Sequence, residues 1–574
     1  MLTAEFWEPI GNDTIVSFMK RQRKVWNVLA MMGVLAITAL FASCGSSESK
    51  KDEQKVDYLA VQIDKDDSWS IIDANGNVVV DREYDKDNVL SSVYDGGIYW
   101  VQSNGKFRLF SIDSPKKSLT DDEYDKVTIF REGRAFASVT GQPILMLDEK
   151  GNHLKTLSKD VARAFAFFDG MAPYQDQEGK WGFLNKSGDI QIPATYSAIH
   201  NFGSGVCCVY ADAEMTAVTL IDKKGNAINS WSKQKYDPRQ LPSEGKIGVE
   251  VDGDSEHPSV AYLDVKGNEL FGKFAGYSTP ECYYGGYAVL RNFMTEEYTV
   301  INDKGEKMIR SGKYKSIDNM GNATFGVKKG EKYGVVDAED NALVDFDYDG
   351  ICPLRLGENY IMISGNYFVV VTPKGEEIKK AEFRNFNLGG ISGYAEYVDL
   401  QAIADTFTQD VSTKGVVCCN GQEDMASIAK SLKLELDSVS PYASSVSTSF
   451  HTSWCTMERI LHFTGILKNE LFHEETSNDG WFEYTTQVSD GFEWNPDAKL
   501  ERMVVSVNIP KEYNEAFISC VKKSILAKGF TQSDYDGEFL CGSGDNAKRI
   551  IINSEYDTDE VSMDFFIHNN TDDE

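Results

Sequence analysis

The stretch Gly179–Tyr196, GKWGFLNKSGDIQIPATY, decides the fold because its features recur along most of the chain. It contains the pair Trp181 and Gly182, an Asn-x-x-Gly turn that ends at Gly188, and an aromatic residue eight positions later at Tyr196. In such a turn the Asn side chain can bond to the nearby backbone, and glycine can adopt a positive φ. The stretch therefore predicts two short strands joined by a tight hairpin.

Equivalent turns recur at intervals of 35 to 42 residues and define nine units. The turn glycines that we expect to define the repeat are Gly76, Gly151, Gly188, Gly225, Gly267, Gly305 and Gly375. Three copies are degraded: two carry Lys116 and Asp340 in place of the glycine, and the third keeps Gly375 but begins with Thr372. A period in this range is typical of stacked or radial repeats.

An aromatic residue follows most of these turns at a fixed or slightly longer spacing, as at Tyr84 and Tyr196. Each unit also has two apolar runs of strand length before the turn and one after it. We predict a meander of three strands, with a short fourth strand near the aromatic. One such unit cannot bury its own face, so the units must stack, and the recurring aromatics then fit core packing between units better than a glycan-binding platform.

Residues 167–196 combine a Phe-x-x-Gly step, Lys-Trp-Gly, the Asn-x-x-Gly turn and Ile-x-Ile-Pro-x-x-Tyr. This combination resembles the bacterial WG-repeat (KWG) family. Tyr333 and Gly334 give a second match, and Trp69 keeps the Trp without the Gly. The resemblance covers roughly residues 57–390 and implies an exported interaction protein, with no shared catalytic residues to transfer.

The predicted fold is thus an all-β array of about nine three- to four-stranded units over residues 57–390. Meanders of this length suit a β-propeller, and closure of the array removes exposed strand edges. Nine units exceed the usual four to eight blades of a propeller. An open β-superhelix is therefore the alternative to a closed, propeller-like array.

The N-terminal segment has the pattern of an export signal. Four basic residues follow Met19, which we take as the true start, and an apolar run then leads to small residues and Cys44. The Cys after small residues resembles the bacterial lipobox, in which the Cys is acylated. We predict an export signal over 1–43, a lipid-attachment Cys and polar tether over 44–56, and an outer-membrane lipoprotein of the cell envelope, periplasmic or surface-exposed.

Residues 391–574 lose the periodicity and predict an α+β domain of no family that we recognise. Asp399 can cap a helix that places Leu400, Ile403 and Phe407 on one face. A second helix is expected from Pro510 to about Lys528, followed by three strands.

Composition limits the partners and the chemistry. The net charge of −31 disfavours nucleic acid as a partner. His451, His462 and His473 lie at intervals of 11 but match no zinc motif, and we predict neither a metal nor another cofactor. No nucleophile elbow or phosphate-binding loop is present in the sequence, so we predict no catalytic residue.

The sequence favours a non-catalytic, lipid-anchored envelope protein whose repeat array is a scaffold for binding proteins or other ligands. Its partners would be the lipid bilayer, through acylated Cys44, and other envelope proteins or glycans. Two alternatives remain: an envelope glycan-binding protein, and a hydrolase with its site in the C-terminal domain. The sequence does not identify the binding residues.

Overall fold

The computed structural model describes two compact units, each considered by itself. One unit comprises the described residues up to Val139 and from Pro143 to Tyr397, and the other comprises Thr140–Gln142 and the described residues from Val398 onwards. The described residues are 55–62, 68–85, 87–94, 96–252, 258–292, 295, 297–383, 385–387, 393–416, 445–452, 455–463, 467–478, 483–494, 500–542, 547–554 and 559–566.

Within the described residues, the first unit contains nine small antiparallel sheets, which we call blades 1 to 9 in chain order. Blades 1 to 3 consist of Asn385–Asn387, Tyr58–Gln62, Trp69–Asp73 and Val78–Tyr84; Val89–Leu90, Ile98–Ser103 and Lys106–Ser111; and Lys126–Val127, Arg134–Ser138, Leu145–Asp148 and His153–Thr156. Blades 4 to 6 consist of Val161–Phe165, Met171–Asp176, Trp181–Asn185 and Ile190–Tyr196; Ala198–Ile199, Val206–Tyr210, Ala217–Asp222 and Ala227–Ser232; and Tyr236–Pro238, Lys246–Val251, Ser259–Asp264 and Phe274–Ala275. Blades 7 to 9 consist of Thr279–Pro280, Tyr287–Asn292, Glu297–Asn302 and Lys307–Ile309; Ser316–Asn319, Thr324–Lys329, Lys332–Asp337 and Ala342–Tyr348; and Gly350–Ile351, Tyr360–Ser364, Tyr367–Val371 and Glu377–Glu382.

The predicted three- to four-stranded unit is confirmed, and the short fourth strand comes first in each complete blade. Blade 5 shows the pattern: its second strand, Val206–Tyr210, is buried along its whole length, whereas its last strand, Ala227–Ser232, is mostly exposed. Both faces of the second strand are covered by neighbouring blades. Cys207 and Cys208 are therefore both buried although their side chains point to opposite faces.

The array is closed. Nine clusters of buried side chains each join two adjacent blades, and together they connect every neighbouring pair around the ring. The cluster between blades 9 and 1 packs Leu59 and Ile72 with Ile361 and Val370. The propeller-like arrangement is confirmed, and the open superhelix is not what forms.

Two short strand pairings link the ends of the repeat. Strand Asn385–Asn387 comes from the end of the array but forms the first strand of blade 1, antiparallel to Tyr58–Gln62. Lys55–Val56 pairs in parallel with Arg355–Leu356, next to blade 9. A further strand, Tyr394–Glu396, adds a fifth strand to blade 4 beside Val161–Phe165. The periodic sequence pattern had not predicted these additions.

The second unit is an α+β domain, as predicted. Helix α1 is Leu400–Phe407, and the Asp399 side chain accepts the backbone N–H of Ala402 at 3.0 Å as its N-cap. Helix α2 is Lys511–Ala527, with Gly529 at a φ of 94° after its end. The main sheet has seven strands, which are, from one edge to the other, Ser445–His451, Thr456–Phe463, Leu500–Asn508, Glu560–Phe566, Lys548–Ser554, Glu538–Cys541 and Thr531–Gln532. Two further pairs of strands lie outside this sheet: Val411–Ser412 with Gly415–Val416, and Leu467–Asn478 with Glu483–Trp494.

The core of this unit lies between its helices and one face of the seven-stranded sheet. Phe517, Val521 and Ile525 of α2 are fully buried, as the predicted spacing required. Phe517 packs edge-on against Phe407 of α1, with 5.4 Å between ring centroids.

Candidate functional site

The repeat-defining turns place their glycines against the preceding blade. The seven predicted turn glycines all have a φ between 74° and 83°, which is costly for other residues. A Cβ on Gly188 would lie 3.1 Å from Leu157 of blade 3, and one on Gly375 would lie 2.8 Å from the Leu343 carbonyl oxygen of blade 8. The turn glycine thus provides both the backbone conformation and the close approach between blades.

The acidic residue that opens the turn organises its backbone. In blade 5 the Asp222 carboxylate accepts the backbone N–H groups of Lys224 and Asn226 at 2.8 and 2.9 Å, and the Asn226 amide donates to it at 2.9 Å. The Asn directly after the glycine recurs in five turns, at Asn77, Asn152, Asn226, Asn268 and Asn341. For the last of these, Asp340 replaces the glycine and adopts a φ of 69°.

The recurring tyrosines form hydrogen bonds within a blade or to the next blade. The Tyr348 hydroxyl of blade 8 donates to Glu377 of blade 9 at 2.8 Å, whereas the Tyr236 hydroxyl donates to Glu269 within blade 6 at 2.8 Å. Tyr84 is buried and its hydroxyl donates to the Pro115 carbonyl at 2.8 Å, while Tyr196 is half-buried. These aromatic side chains face the junctions between blades.

Trp181 and Gly182 lie at an irregular strand pairing. Trp181 is half-buried, pairs across the sheet with Tyr196 and packs against Phe165 with 5.1 Å between ring centroids. A Cβ on Gly182 would lie 2.5 Å from the Ile192 carbonyl oxygen, because the last strand bulges towards it. The glycine of the Trp-Gly pair therefore makes room for this bulge.

Tyr333 and Gly334 occupy the same places in blade 8. Tyr333 pairs with Tyr348 across a similar irregularity, and a Cβ on Gly334 would lie 2.7 Å from the Val344 carbonyl oxygen.

A second set of ties between blades had not been predicted from the sequence. In blade 4 the acceptor is the residue before the glycine of the Phe-x-x-Gly step, and the equivalent residue serves in neighbouring blades. Its side chain accepts a backbone N–H from the corresponding turn of the next blade. The pairs are Glu132 with Gly170 at 2.9 Å, Asp169 with Gly205 at 2.6 Å, Ser204 with Gly245 at 2.9 Å, and Glu244 with Gly285 at 2.7 Å. The positive φ of all four acceptors, between 47° and 51°, was not evident from residue type.

The turn glycines and the recurring tyrosines pack at the junctions between blades, so we place the candidate binding site elsewhere in the ring. In every blade except blade 4, the first strand forms one edge of its sheet, opposite the last strand, which is mostly exposed in blade 5. Residues in or just after the first strands of blades 6 to 9, together with Arg291 from the second strand of blade 7, line one cavity, which is possible only where the blades converge. We call this convergent side the inner edge.

The cavity at the inner edge of blades 6 to 9 has a volume of about 70 Å³. Its wall includes the charged side chains of Glu281, Arg291 and Asp318, whereas the junctions between the blades are apolar. The lining residues are Gln240, Glu281, Cys282, Tyr284, Arg291, Asp318, Asn319 and Pro353.

Two carboxylates in this wall share one guanidinium. Arg291 forms an ion pair with Glu281 and donates to Asp318 at 3.1 Å. Burial raises the pKa of Glu281 to about 7; Arg291 opposes this rise and the negative charge of Asp318 adds to it. Glu281 therefore exchanges a proton near neutral pH, and the group can hold a charged or hydrogen-bonding ligand.

A neighbouring group of charges lies at the inner edge of blades 5 and 6. Burial raises the pKa of Asp237, against the effect of Arg239 and Lys233. Burial lowers the pKa of His200 to about 4, and the same two cations lower it further. His200 is therefore neutral at physiological pH. Neither group has a signal in the sequence, because these residues do not repeat.

Several predicted features fall outside the described residues. Cys44 and the export signal are among them, and so are the side chains of His451 and His473. His462 lies in strand Thr456–Phe463. Across the described part of the chain, no group of three or more His, Cys, Asp or Glu residues is arranged to hold a metal ion. Within the same ranges, no helix has the length and apolar character needed to cross a bilayer.

Comparison with known proteins supports the repeat class. A family model described as "WG containing repeat" matches residues 69–107 and 181–212, which lie in blades 1, 2, 4 and 5. These two regions are therefore similar to WG repeats, and the resemblance inferred from Trp181, Gly182 and the turns is confirmed. No match is found among curated proteins.

The solved structures that match the chain share little sequence with it. The computationally designed Ika8 protein is 12% identical, with 52% of this chain and 97% of that chain covered and a TM-score of 0.31. BamB from Moraxella catarrhalis is 10% identical, with 58% and 98% covered and a TM-score of 0.28. These TM-scores are low, so neither similarity assigns a function.

Proposed function

We propose that this chain is a non-catalytic, lipid-anchored protein of the cell envelope whose nine-blade ring binds a partner protein at the inner edge of blades 6 to 9. The observation that carries the binding role is the cavity with charged side chains in its wall, where these four blades converge. Concave sites with a few converging polar groups are the usual places for ligand recognition.

The distribution of side chains in the ring supports this location. The recurring aromatics and turn glycines are used to hold blades together, so they are not available for a ligand. The inner edge of blades 6 to 9 instead carries residues that differ from blade to blade, including Gln240, Glu281 and Asn319. In repeat folds, function resides in such positions, because the repeated positions specify the architecture.

The partner can be captured by a photocrosslinking amino acid placed in the full-length protein in cells. Position Gln240 lies in the cavity wall, and Ile228, 40% exposed on the last strand of blade 5, is a matched control on the opposite side of the ring's sheets. We expect discrete protein adducts at position 240 that are missing at position 228. Equal labelling at both positions, or no adduct at 240, would contradict binding at the inner edge.

Anchoring through Cys44 is a separate part of the proposal. It is supported by the basic, apolar and small-residue order that precedes Cys44 in the sequence. We expect the Cys44→Ala variant to leave the membrane fraction, with a parallel Cys282→Ala variant as the control that stays in it. Full membrane attachment of Cys44→Ala would show that this Cys does not anchor the protein.

A further inference from the structure

The inner edge of the ring contains three groups of charged side chains, and two of them are balanced. At blades 3 and 4, the buried Glu396 is held by both Lys126 and Arg163, the latter at 2.8 Å. At blades 5 and 6, Arg239 pairs with both Asp237 and Glu250, and the positive charge of Lys233 lies close enough to act on Asp237. In each of these two groups the cations are thus at least as many as the carboxylates.

The third group, at blades 7 and 8, lacks one cation. Glu281 and Asp318 share the single guanidinium of Arg291, and no other cation among the described residues pairs with either carboxylate. Their side chains are 24% and 33% exposed, so solvent compensates the missing charge only in part. The group carries a net negative charge when both acids are ionised.

The deficit coincides with the cavity. Glu281, Asp318 and Arg291 all line it, together with the amide side chains of Gln240 and Asn319. An unbalanced buried charge that borders a cavity favours a ligand of opposite sign, since the ligand restores the balance inside a region of low dielectric.

We propose that this cavity takes the ammonium group of a lysine side chain contributed by the partner. The proposal rests on the binding function proposed above and specifies its chemistry. An anion would meet two carboxylates, and the described residues offer no cluster suited to a metal ion. Lys126 shows the same chemistry within the ring, because its ammonium group meets the Glu396 carboxylate and lies 5.2 Å from the centre of the Tyr394 ring.

The test titrates the purified full-length protein with a lysine analogue blocked at its α-amino and carboxyl groups, and follows binding by NMR. We expect saturable binding, weakened about tenfold or more in Glu281→Gln and in Asp318→Asn, because each removes a charge-assisted contact. Asp303→Asn is the matched control: this acid is 63% exposed, lies in blade 7 and pairs with Lys246 instead. Circular dichroism and melting temperature verify that each variant is folded.

The pH dependence gives an independent readout. The charged group that faces Glu281 directly is Arg291, with Asp318 beyond it, and Cys282 and Tyr284 complete the nearby wall. Binding should weaken as pH falls below about 7 in the wild type and lose this dependence in Glu281→Gln. Equal affinity of wild type and Glu281→Gln, or no saturable binding of the analogue, would overturn the proposal.

Two further arms separate this proposal from the binding function and identify the source of the ammonium group. One outcome is that crosslinking at position 240 captures a partner that binds the wild type and Glu281→Gln with equal affinity. In that case the ring is a binding scaffold, but the proposal that the cavity binds a lysine side chain is wrong. If butylamine binds while the blocked lysine does not, the ligand is a small free amine and not a protein side chain. If the blocked lysine binds but no partner is captured, the scaffold function fails and the cavity chemistry stands.

Discussion

Gly76 of the first blade lies against Val370 of the ninth, so closely that a Cβ on Gly76 would sit 2.8 Å from Val370 Cγ2. The same contact, between a turn glycine and the preceding blade, occurs around the ring. Its presence between the first and last blades shows that the closing junction is built like the internal ones.

Gly76→Ala should therefore destabilise the ring. A positive φ costs a non-glycine residue about 1–2 kcal/mol, and the overlap with Val370 and Lys379 adds about 1–3 kcal/mol. Gly179→Ala is the matched control, with a φ of 76° and no atom within 4 Å of the place that its Cβ would take. Urea denaturation should show a larger decrease in the free energy of unfolding for Gly76→Ala than for Gly179→Ala. Equal decreases would mean that the junction between blades 9 and 1 is not closely packed.

Gly182→Ala tests the role of the Trp-Gly pair. The new methyl group would lie 2.5 Å from the Ile192 carbonyl oxygen and 2.6 Å from the Tyr174 ring, so the bulge in the last strand must shift. We expect a loss of stability of about 1–3 kcal/mol. Gly272→Ala, which meets no atom within 4 Å, should change stability little in the same denaturation experiment. A neutral Gly182→Ala would show that the bulge can relax.

Tyr348→Phe removes a tie between blades 8 and 9. The substitution removes the 2.8 Å hydrogen bond to Glu377 but keeps the aromatic side chain in its packed position. Because the acceptor is a carboxylate, we expect a loss of about 1–2 kcal/mol. The control is Tyr367→Phe, since Tyr367 is 42% exposed on blade 9. Comparable midpoints of thermal unfolding for the two variants would argue against this tie.

Glu281→Gln should change how stability depends on pH. The pKa of Glu281 rises from 4.5 in the unfolded chain to about 7 in the ring, mainly through burial, so the folded state binds the proton more strongly. The wild type should then lose stability relative to Glu281→Gln as pH rises from about 5 to 8, by on the order of 1–3 kcal/mol.

The control for this pH series is Glu331→Gln. Lys315 and Lys328 lower the pKa of the exposed Glu331, so its charge does not change between about pH 5 and 8. Its difference from the wild type should be constant over this range in urea denaturation. A constant difference for Glu281→Gln as well would show that Glu281 titrates normally.

The repeat was predictable because its determinants are local. The Asp-x-x-Gly turns and the tyrosines that follow them act within one blade or between neighbours, so a single pattern reports them at every copy. Gly188 and Tyr196 are examples. The N-cap at Asp399 and the buried helix face that includes Phe517 could be predicted for the same reason.

The cavity and the closing strand were not predictable, because they depend on distant residues without a repeating pattern. Gln240 and Pro353 come from blades 6 and 9 and meet only after the blades have stacked. Asn385–Asn387 carries no turn signal and is a strand only because Tyr58–Gln62 offers it an edge. The shortage of positive charge around Glu281 likewise arises only when Glu281, Arg291 and Asp318, which lie on different segments of blades 7 and 8, come together.

Completion of blade 1 by Asn385–Asn387 has a consequence for biogenesis. A nascent chain emerging from the ribosome could stack its later blades in order, but its first blade lacks a strand until the last repeat has been synthesised. The ring can therefore close only after residues 385–387 have been made, when it captures this segment from the far end of the repeat. A product truncated before Asn385 would keep an open edge on blade 1, which is a template for pairing with a strand of another chain.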